Sequence, residues 1–408
     1  MCLVVPGVED QVETIGPCTR IYSVASRHAP LNPDYRLMLP NAYLRKGGRL
    51  RQILREEKPD VVEVCDKYTL NYLAAMLRTQ MMGDVTVRPL VVGLSCERMD
   101  DNVRAYLGWN KPARWLVNFY MKWLYFSFFD HHIANSEYTA EELRTASSGH
   151  VIRRGVWIRP MGVNTRDLSP RHRSSVARHG LLQQVGAESG SILLLYVGRL
   201  APEKNLPLLI DTLEVLQREG GTPYHLILVG DGVRRSEFLA QAAARTPNRV
   251  TWLGHVRDRS ELARIYANCD VFLHPNPREP FGIAPLEAMA SGLPVVVPDS
   301  GGVTTYADST NAWVVPPSAN SFARAVMEAA TNAALRDQKA GRALETAFNL
   351  RWDRVADSFL DLYEDLGRLA RGQATRTGAD FYSTAPRGKG SPVARLTASV
   401  VQRLLATR

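Results

Sequence analysis

The sequence predicts an α/β chain built from two doubly wound parallel sheets, each covered by helices on both faces. Three observations carry this. Short apolar runs of strand length alternate with longer runs of helical spacing along most of the chain. At 408 residues the chain exceeds one ordinary domain. The alternation pauses in a polar, basic stretch, Asp167 to Ser191, rich in turn formers, and then resumes. The expected division is a first domain over 1–165, a second over 166–352, a last helix over 353–371 and a basic tail over 372–408.

The first half reads in order. Met1–Val5 is a strand ended by Pro6-Gly7, and Arg20–Ala25 is a second. Asn41–Glu57 has helical spacing up to Pro59. Asp60–Val64 is a strand, Tyr68–Met81 a helix and Leu90–Ser95 a strand. Cys96 to Asp100 then stands beyond the carboxyl end of a strand, where such sheets bind ligands. Trp109–Phe129 is dense in aromatic residues, with Lys111, Arg114 and Lys122 among them. It reads either as an amphipathic helix touching the inner membrane surface or as a core helix. Apolar positions spread all around it favour burial. His132–Asn135 is a short strand. Ser136 or a Thr139-x-x-Glu142 box caps the next helix. His131 and His132 are neighbours in a strand, so they face opposite ways and cannot share a metal.

The second half repeats the pattern. Strands are expected at Ser191–Val197, Tyr224–Val229, Val250–Leu253, Val271–His274 and Trp313–Val315. Helices are expected at Leu206–Arg218, Arg234–Arg245, Glu261–Ala267, Ser321–Ala347 and Asp353–Arg371. Between them Arg278–Asp299 reads as a loop, a short helix and a buried strand.

Composition narrows the function classes. Hydrophobic content of 45% and charged content of 22% fit a full core. The net charge is +9, but residues 372–408 hold six basic residues against one acid, Asp380, a net of +5. The basicity is mostly a property of the tail, with its short amphipathic segment Val393–Leu405, and argues against a nucleic-acid partner for the body. Five scattered cysteines without a C-x-x-C pair give neither a zinc site nor a disulfide framework. With no 18-residue apolar run, a cytoplasmic placement is expected, peripheral to the membrane if the 109–129 stretch binds one.

Three stretches carry chemistry. Glu279 and Glu287 stand eight positions apart around Pro280-Phe281-Gly282, a turn that leads into a helix N-terminus at Ile283. Such a terminus suits a phosphate, and the flanking carboxylates suit neutral hydroxyls, which is the layout of a sugar-nucleotide site. Gly198 to Asn205 follows a strand, and its Arg199 and Lys204 would neutralise a diphosphate leaving group without a metal. Basic loop residues are more often simply solvated. Gly230-Asp231-Gly232 ends another strand, and its glycines would let a ligand approach the backbone or would serve a plain turn.

Together the G-R-L-x-x-E-K run, the V-G-D-G turn and the E-P-F-G-I-x-P-L-E-A-M-A-S-G-L-P-V-V run resemble the retaining glycosyltransferases of family 4. The resemblance covers about residues 60–366 and is strongest over Ile192–Asp299. It implies the GT-B architecture, two Rossmann-like domains facing each other across a cleft, with the last helix crossing back to the first domain. It implies that Arg199 and Lys204 hold the diphosphate, Glu279 the transferred sugar and Glu287 the ribose. Phe281, Gly282 and Ile283 would offer backbone amides to sugar and phosphates. The implied reaction moves a hexose from a nucleotide sugar, GDP-mannose or UDP-glucose, to an acceptor hydroxyl with retention. It needs no metal or other cofactor. The aromatic stretch and the tail suggest a lipid-linked or cell-envelope glycan acceptor.

Two departures stand out. Met1–Gly7 looks like the family's second strand, so the first strand, its glycine-rich loop and its helix are missing, and the natural chain is expected to begin upstream. Cys96 occupies the position of a family histidine beside the transferred sugar, and a thiol is a poor donor; either Glu97 or Asp100 substitutes, or the acceptor site differs, or activity is low, or Cys96 is simply a small buried residue. The competing readings are a degenerate nucleotide-sugar-binding subunit and a GT-B epimerase.

Overall fold

The computed structural model describes residues 1–29, 32–108, 110–147 and 155–371. Trp109 and the basic tail with Val393–Leu405 lie outside the described residues.

The first half holds more than one sheet, where a single parallel sheet was expected. β1 (Cys2–Gly7) pairs in parallel with β3 (Arg20–Ala25), and β2 (Gln11–Thr14) joins β3 antiparallel. β4 (Arg27–Ala29) and β5 (Asn32–Leu37) form an antiparallel pair. β6 (Val61–Val64), β7 (Leu90–Ser95), β8 (His131–Ala134) and β9 (Val156–Ile158) make a parallel sheet in that order. β1 and β6 are both edge strands, yet Cys2, Val4 and Val62 pack against one shared core.

Asn41–Glu57 is two helices rather than one, Asn41–Leu44 and Arg49–Glu57. Gly47-Gly48 weakens the continuous helix. The Arg51 guanidinium donates to the Tyr43 and Leu44 carbonyls at 2.6 and 3.3 Å, filling acceptors the broken helix leaves open. Of the two proposed caps, Ser136 is used: its Oγ accepts from Thr139 N at 3.1 Å. Glu142 turns instead to Lys67.

The second half is one six-stranded parallel sheet. Its strands are β10 (Ile192–Val197), β11 (Tyr224–Val229), β12 (Val250–Trp252), β13 (Val271–Leu273), β14 (Val295–Pro298) and β15 (Trp313–Val315). Their spatial order is β12-β11-β10-β13-β14-β15. Side chains alternate between two cores: Leu193, Leu195, Val295 and Val297 face one, Leu194, Tyr196 and Val296 the other. The strand order reverses between β10 and β13, the point at which open α/β sheets place their ligand-binding loops.

The polar stretch Asp167–Ser191 is not a plain connection. It contains helix Ser175–Val185, whose Leu181 and Val185 enter the second domain's core. Its polar residues lie on the outer side, and Arg178 reaches back to Asp270 at 2.6 Å. Ser321–Ala347 divides into helices Ala319–Thr331 and Ala333–Asn349, the second capped by Asn332. The last helix, Trp352–Ala370, buries Leu362 and Leu366 against Val92, Leu94 and Ile133 of the first domain. The Tyr363 hydroxyl donates to Glu63 there.

Candidate active site

The two loops that flank the strand-order reversal bring their charges together. Lys204, after β10, donates to both oxygens of Glu279, after β13, at 3.0 and 2.8 Å. Asn276 Nδ2 adds a third donor at 3.1 Å. Asn205, with φ +52°, ties the loops by donating to the Pro275 carbonyl at 2.8 Å. Burial by itself raises the Glu279 carboxyl; the Lys204 ammonium and the hydrogen bonds override it and hold the group at about 2. His274 Nε2 lies 3.9 Å from Glu279 and is buried without a hydrogen-bond partner. Burial pushes this imidazole down to about 4, so it is neutral at ordinary pH and Lys204 is the cation that fixes the carboxylate.

Glu287 lies two turns away on helix Ile283–Ala290. Burial pushes its carboxyl up to about 7, although the Tyr266 hydroxyl donates to it at 2.9 Å. The helix starts from Gly282, whose φ of +86° turns the chain out of the Glu279 loop. The Gly282 carbonyl accepts from the Tyr306 hydroxyl, and Gly302 N donates to the Glu279 carbonyl at 2.6 Å. Phe281 is buried and tilted against the Tyr306 ring at 5.1 Å. The loop is therefore held on its back by the Gly302 segment and at its front by Lys204.

Other expected residues behave differently. Arg199 does not join Lys204 on Glu279; it is half exposed and pairs with Glu203 at 2.7 Å. Asp231 binds Arg235 at 3.0 Å, on its own helix start. The glycines at 230 and 232 serve close packing of backbone on backbone. A Cβ on Gly230 would sit 2.1 Å from the Gly198 carbonyl, and one on Gly232 2.5 Å from that of Leu200. Gly232 does not take a positive φ, whereas Gly230 has +125°.

Cys96 packs with Val92, Leu94 and Ile133 in the cluster under the last helix. Of its proposed substitutes, Asp100 forms a bidentate pair with Arg98 at 2.9 and 2.6 Å, and Glu97 accepts from Asn102 at 2.8 Å. Buried Lys67 donates to Glu142 at 2.7 Å and to the Glu97 carbonyl at 2.5 Å. Glu142 in turn accepts from Met99 N at 2.8 Å, so this pair fixes the loop after β7. Between the two halves Ser136 Oγ donates to the Pro280 carbonyl at 2.5 Å, and Arg278 approaches Asp101 at 3.9 Å. Among the described residues no group of three or more His, Cys, Asp or Glu could hold a metal ion.

Two family models divide the chain between them. The one described as Glycosyltransferase Family 4 matches residues 2–159, and the one described as Glycosyl transferases group 1 matches 180–345. The chain is a family 4 glycosyltransferase. Its relatives include a GDP-mannose-dependent alpha-(1-6)-phosphatidylinositol dimannoside mannosyltransferase of Mycobacterium tuberculosis, 27% identical over 94% of this chain and 91% of that protein. A GDP-mannose-dependent alpha-mannosyltransferase of the same species is 29% identical over 92% and 88%. Among solved structures, a sucrose-phosphate synthase from Thermosynechococcus elongatus superposes with TM-score 0.68 at 21% identity, over 90% of this chain and 88% of that one. Anabaena HepE, solved in complex with UDP-glucose, gives 0.61 at 19% over 78% and 81%. These superpositions establish the GT-B fold.

In this glycosyltransferase the sequence motifs missed several residues that shape the site. Asn276 and His274 lie three and five positions before Glu279, close enough in sequence to have been suspected. Tyr266, Lys67 and Ser136 come from distant segments and carry no local signal.

Proposed function

We propose that this family 4 glycosyltransferase moves a hexose, with mannose from GDP-mannose as the first candidate, to a hydroxyl of a membrane-borne glycolipid, retaining the anomeric configuration. The observation that carries this reading is the ionised Glu279 clamped by Lys204 at the start of helix Ile283–Ala290. A carboxylate held ionised accepts sugar hydroxyls. The ammonium beside it has three donors, so it can hold Glu279 and still meet a phosphate oxygen. The helix start offers further N–H groups to the diphosphate. Arg199, half exposed at the rim, would swing from Glu203 to the same diphosphate. Glu287, eight residues on and half-buried, would take the ribose hydroxyls.

In the step itself the bond from the sugar C1 to the diphosphate oxygen breaks and a bond from C1 to the acceptor oxygen forms on the same face. The acceptor proton passes to the departing diphosphate oxygen. Lys204, Arg199 and the helix start would stabilise the charge developing there, so no metal is required. The names of the mannosyltransferase relatives support the donor and the lipid acceptor.

The test is incubation of the protein with labelled GDP-mannose or UDP-glucose and a glycolipid extract, with EDTA present. Transfer of label with an α-configured product, read by NMR, is expected. Tight nucleotide binding without turnover would favour a nucleotide-sugar-binding subunit, and conversion of the nucleotide sugar without an acceptor would favour an epimerase.

A further inference from the structure

We propose that the outer face of the segment Lys111–Tyr125 docks the protein on an anionic lipid bilayer beside the cleft. The sequence left this stretch between a core helix and a membrane helix, with burial favoured. The structure shows both behaviours on opposite faces. Val117, Met121 and Tyr125 are buried, at 5%, 2% and 0% exposure, and hold the segment on the domain. Trp115, Leu116, Phe119 and Trp123 are exposed at 67%, 60%, 41% and 53%. Scattered exposed apolar residues are ordinary; four on one helical face, with Trp115 stacked on Phe119 at 5.5 Å, form a patch. The helix widens into a π-turn over Tyr120–Tyr125.

The charges around the patch select the partner. Residues 110–129 contain Lys111, Arg114 and Lys122 and no Asp or Glu. Lys111 and Arg114 are exposed, and the Lys122 ammonium stands 5.6 Å from the Trp123 ring. Indole rings prefer the boundary between headgroups and acyl chains, and ammonium groups beside them meet lipid phosphates. A helix with this pair of faces lies in the interface plane. No described helix is long and apolar enough to cross a membrane, so this would be contact at the surface.

The position of the patch gives it a use. Helix Met99–Leu107 packs against Lys111–Phe119, and also touches the turn Pro202–Lys204 across the cleft. Tyr120 donates to the Lys67 carbonyl at 2.5 Å, at the end of the loop after β6. The patch therefore adjoins the rim of the first domain's side of the cleft. A lipid-borne acceptor could reach the donor without leaving the bilayer; that consequence rests on the proposed function, whereas the docking does not.

The experiment is co-sedimentation of the full chain with phosphatidylcholine vesicles, with or without phosphatidylglycerol, at low and high salt. The protein is expected to bind the mixed vesicles, more weakly at high salt, and to bind pure phosphatidylcholine least. Trp115→Ala with Trp123→Ala should lower the partition coefficient by more than about tenfold. Lys111→Glu with Arg114→Glu should lower it selectively on anionic vesicles. Circular dichroism and nucleotide-sugar binding should match wild type in all variants. Equal binding by wild type and both double variants, or a dimer that these substitutions dissolve, would overturn the proposal. Vesicle binding without transfer to any glycolipid would leave the docking intact and overturn the acceptor; transfer without vesicle binding would do the reverse.

Discussion

Separating Lys204 from Glu279 is the sharpest perturbation the site offers. The carboxyl is held at about 2 against an ordinary 4.5, with its side chain only 13% exposed and that of Lys204 17%. At about 1.4 kcal/mol per pH unit this amounts to roughly 3 kcal/mol of preference for the ionised form. Glu279→Gln leaves an ammonium buried without its partner, and Lys204→Met leaves a carboxylate so. Each should destabilise the protein by about 3 kcal/mol, or a Tm loss of roughly 6–12 °C for a domain of this size. The double variant should lose much less than the sum, giving a coupling of about 2–3 kcal/mol. The pH dependence follows in sign. A depressed carboxyl stabilises the fold fully above 4.5, and that contribution is lost as the pH falls towards 2. Denaturation of the four proteins near neutral pH and near pH 3 reads both effects. Glu279→Gln should also cut kcat by more than about tenfold, or ~1.4 kcal/mol. Single-variant costs that add to within about 0.5 kcal/mol, together with unchanged kcat, would refute the assignment of Glu279 and Lys204 as one functional pair.

Three further outcomes follow from the structure. Glu287 is raised to about 7, so donor affinity should improve as the pH rises through 7 and its carboxylate forms; titration calorimetry with a nucleotide sugar should show this trend in wild type and not in Glu287→Gln. The same raised carboxyl makes the unliganded wild type lose stability relative to Glu287→Gln as the pH climbs from 4.5 to about 7. Gly230→Ala should cost about 3 kcal/mol, because its Cβ would meet the Gly198 carbonyl at 2.1 Å and its φ is +125°, whereas Gly83→Ala, with open space around it, should stay within about 0.5 kcal/mol.

The sequence by itself determined the α/β class and the segments that carry the candidate site, while the division of the first half into three sheets was not legible in it. Alternating apolar runs and helical spacings are local, and they place most strands of both halves within a residue or two. The glutamates at 279 and 287 flank a helix start because eight residues and a glycine turn leave the chain little choice. The helix break at Gly47-Gly48, the helix hidden in Asp167–Ser191 and the division at Asn332 were misread: a glycine pair, a face buried in the core and a local Asn cap decide them in turn.

What only the tertiary structure decided is which groups meet. Nothing local separates Arg199 from Lys204, yet the reversal of strand order at β10 and β13 sets Lys204 on Glu279 while Arg199 turns to Glu203. Nothing local separates Trp115 from Tyr125 either; one is exposed and the other fully buried because the rest of the first domain covers only one side of their helix. Pairings of this kind join residues far apart in the chain, Lys204 and Glu279 by 75 positions and Tyr363 and Glu63 by 300. Spacing along the chain fixes a residue's direction on its own element, and the packing of the elements fixes what that direction meets.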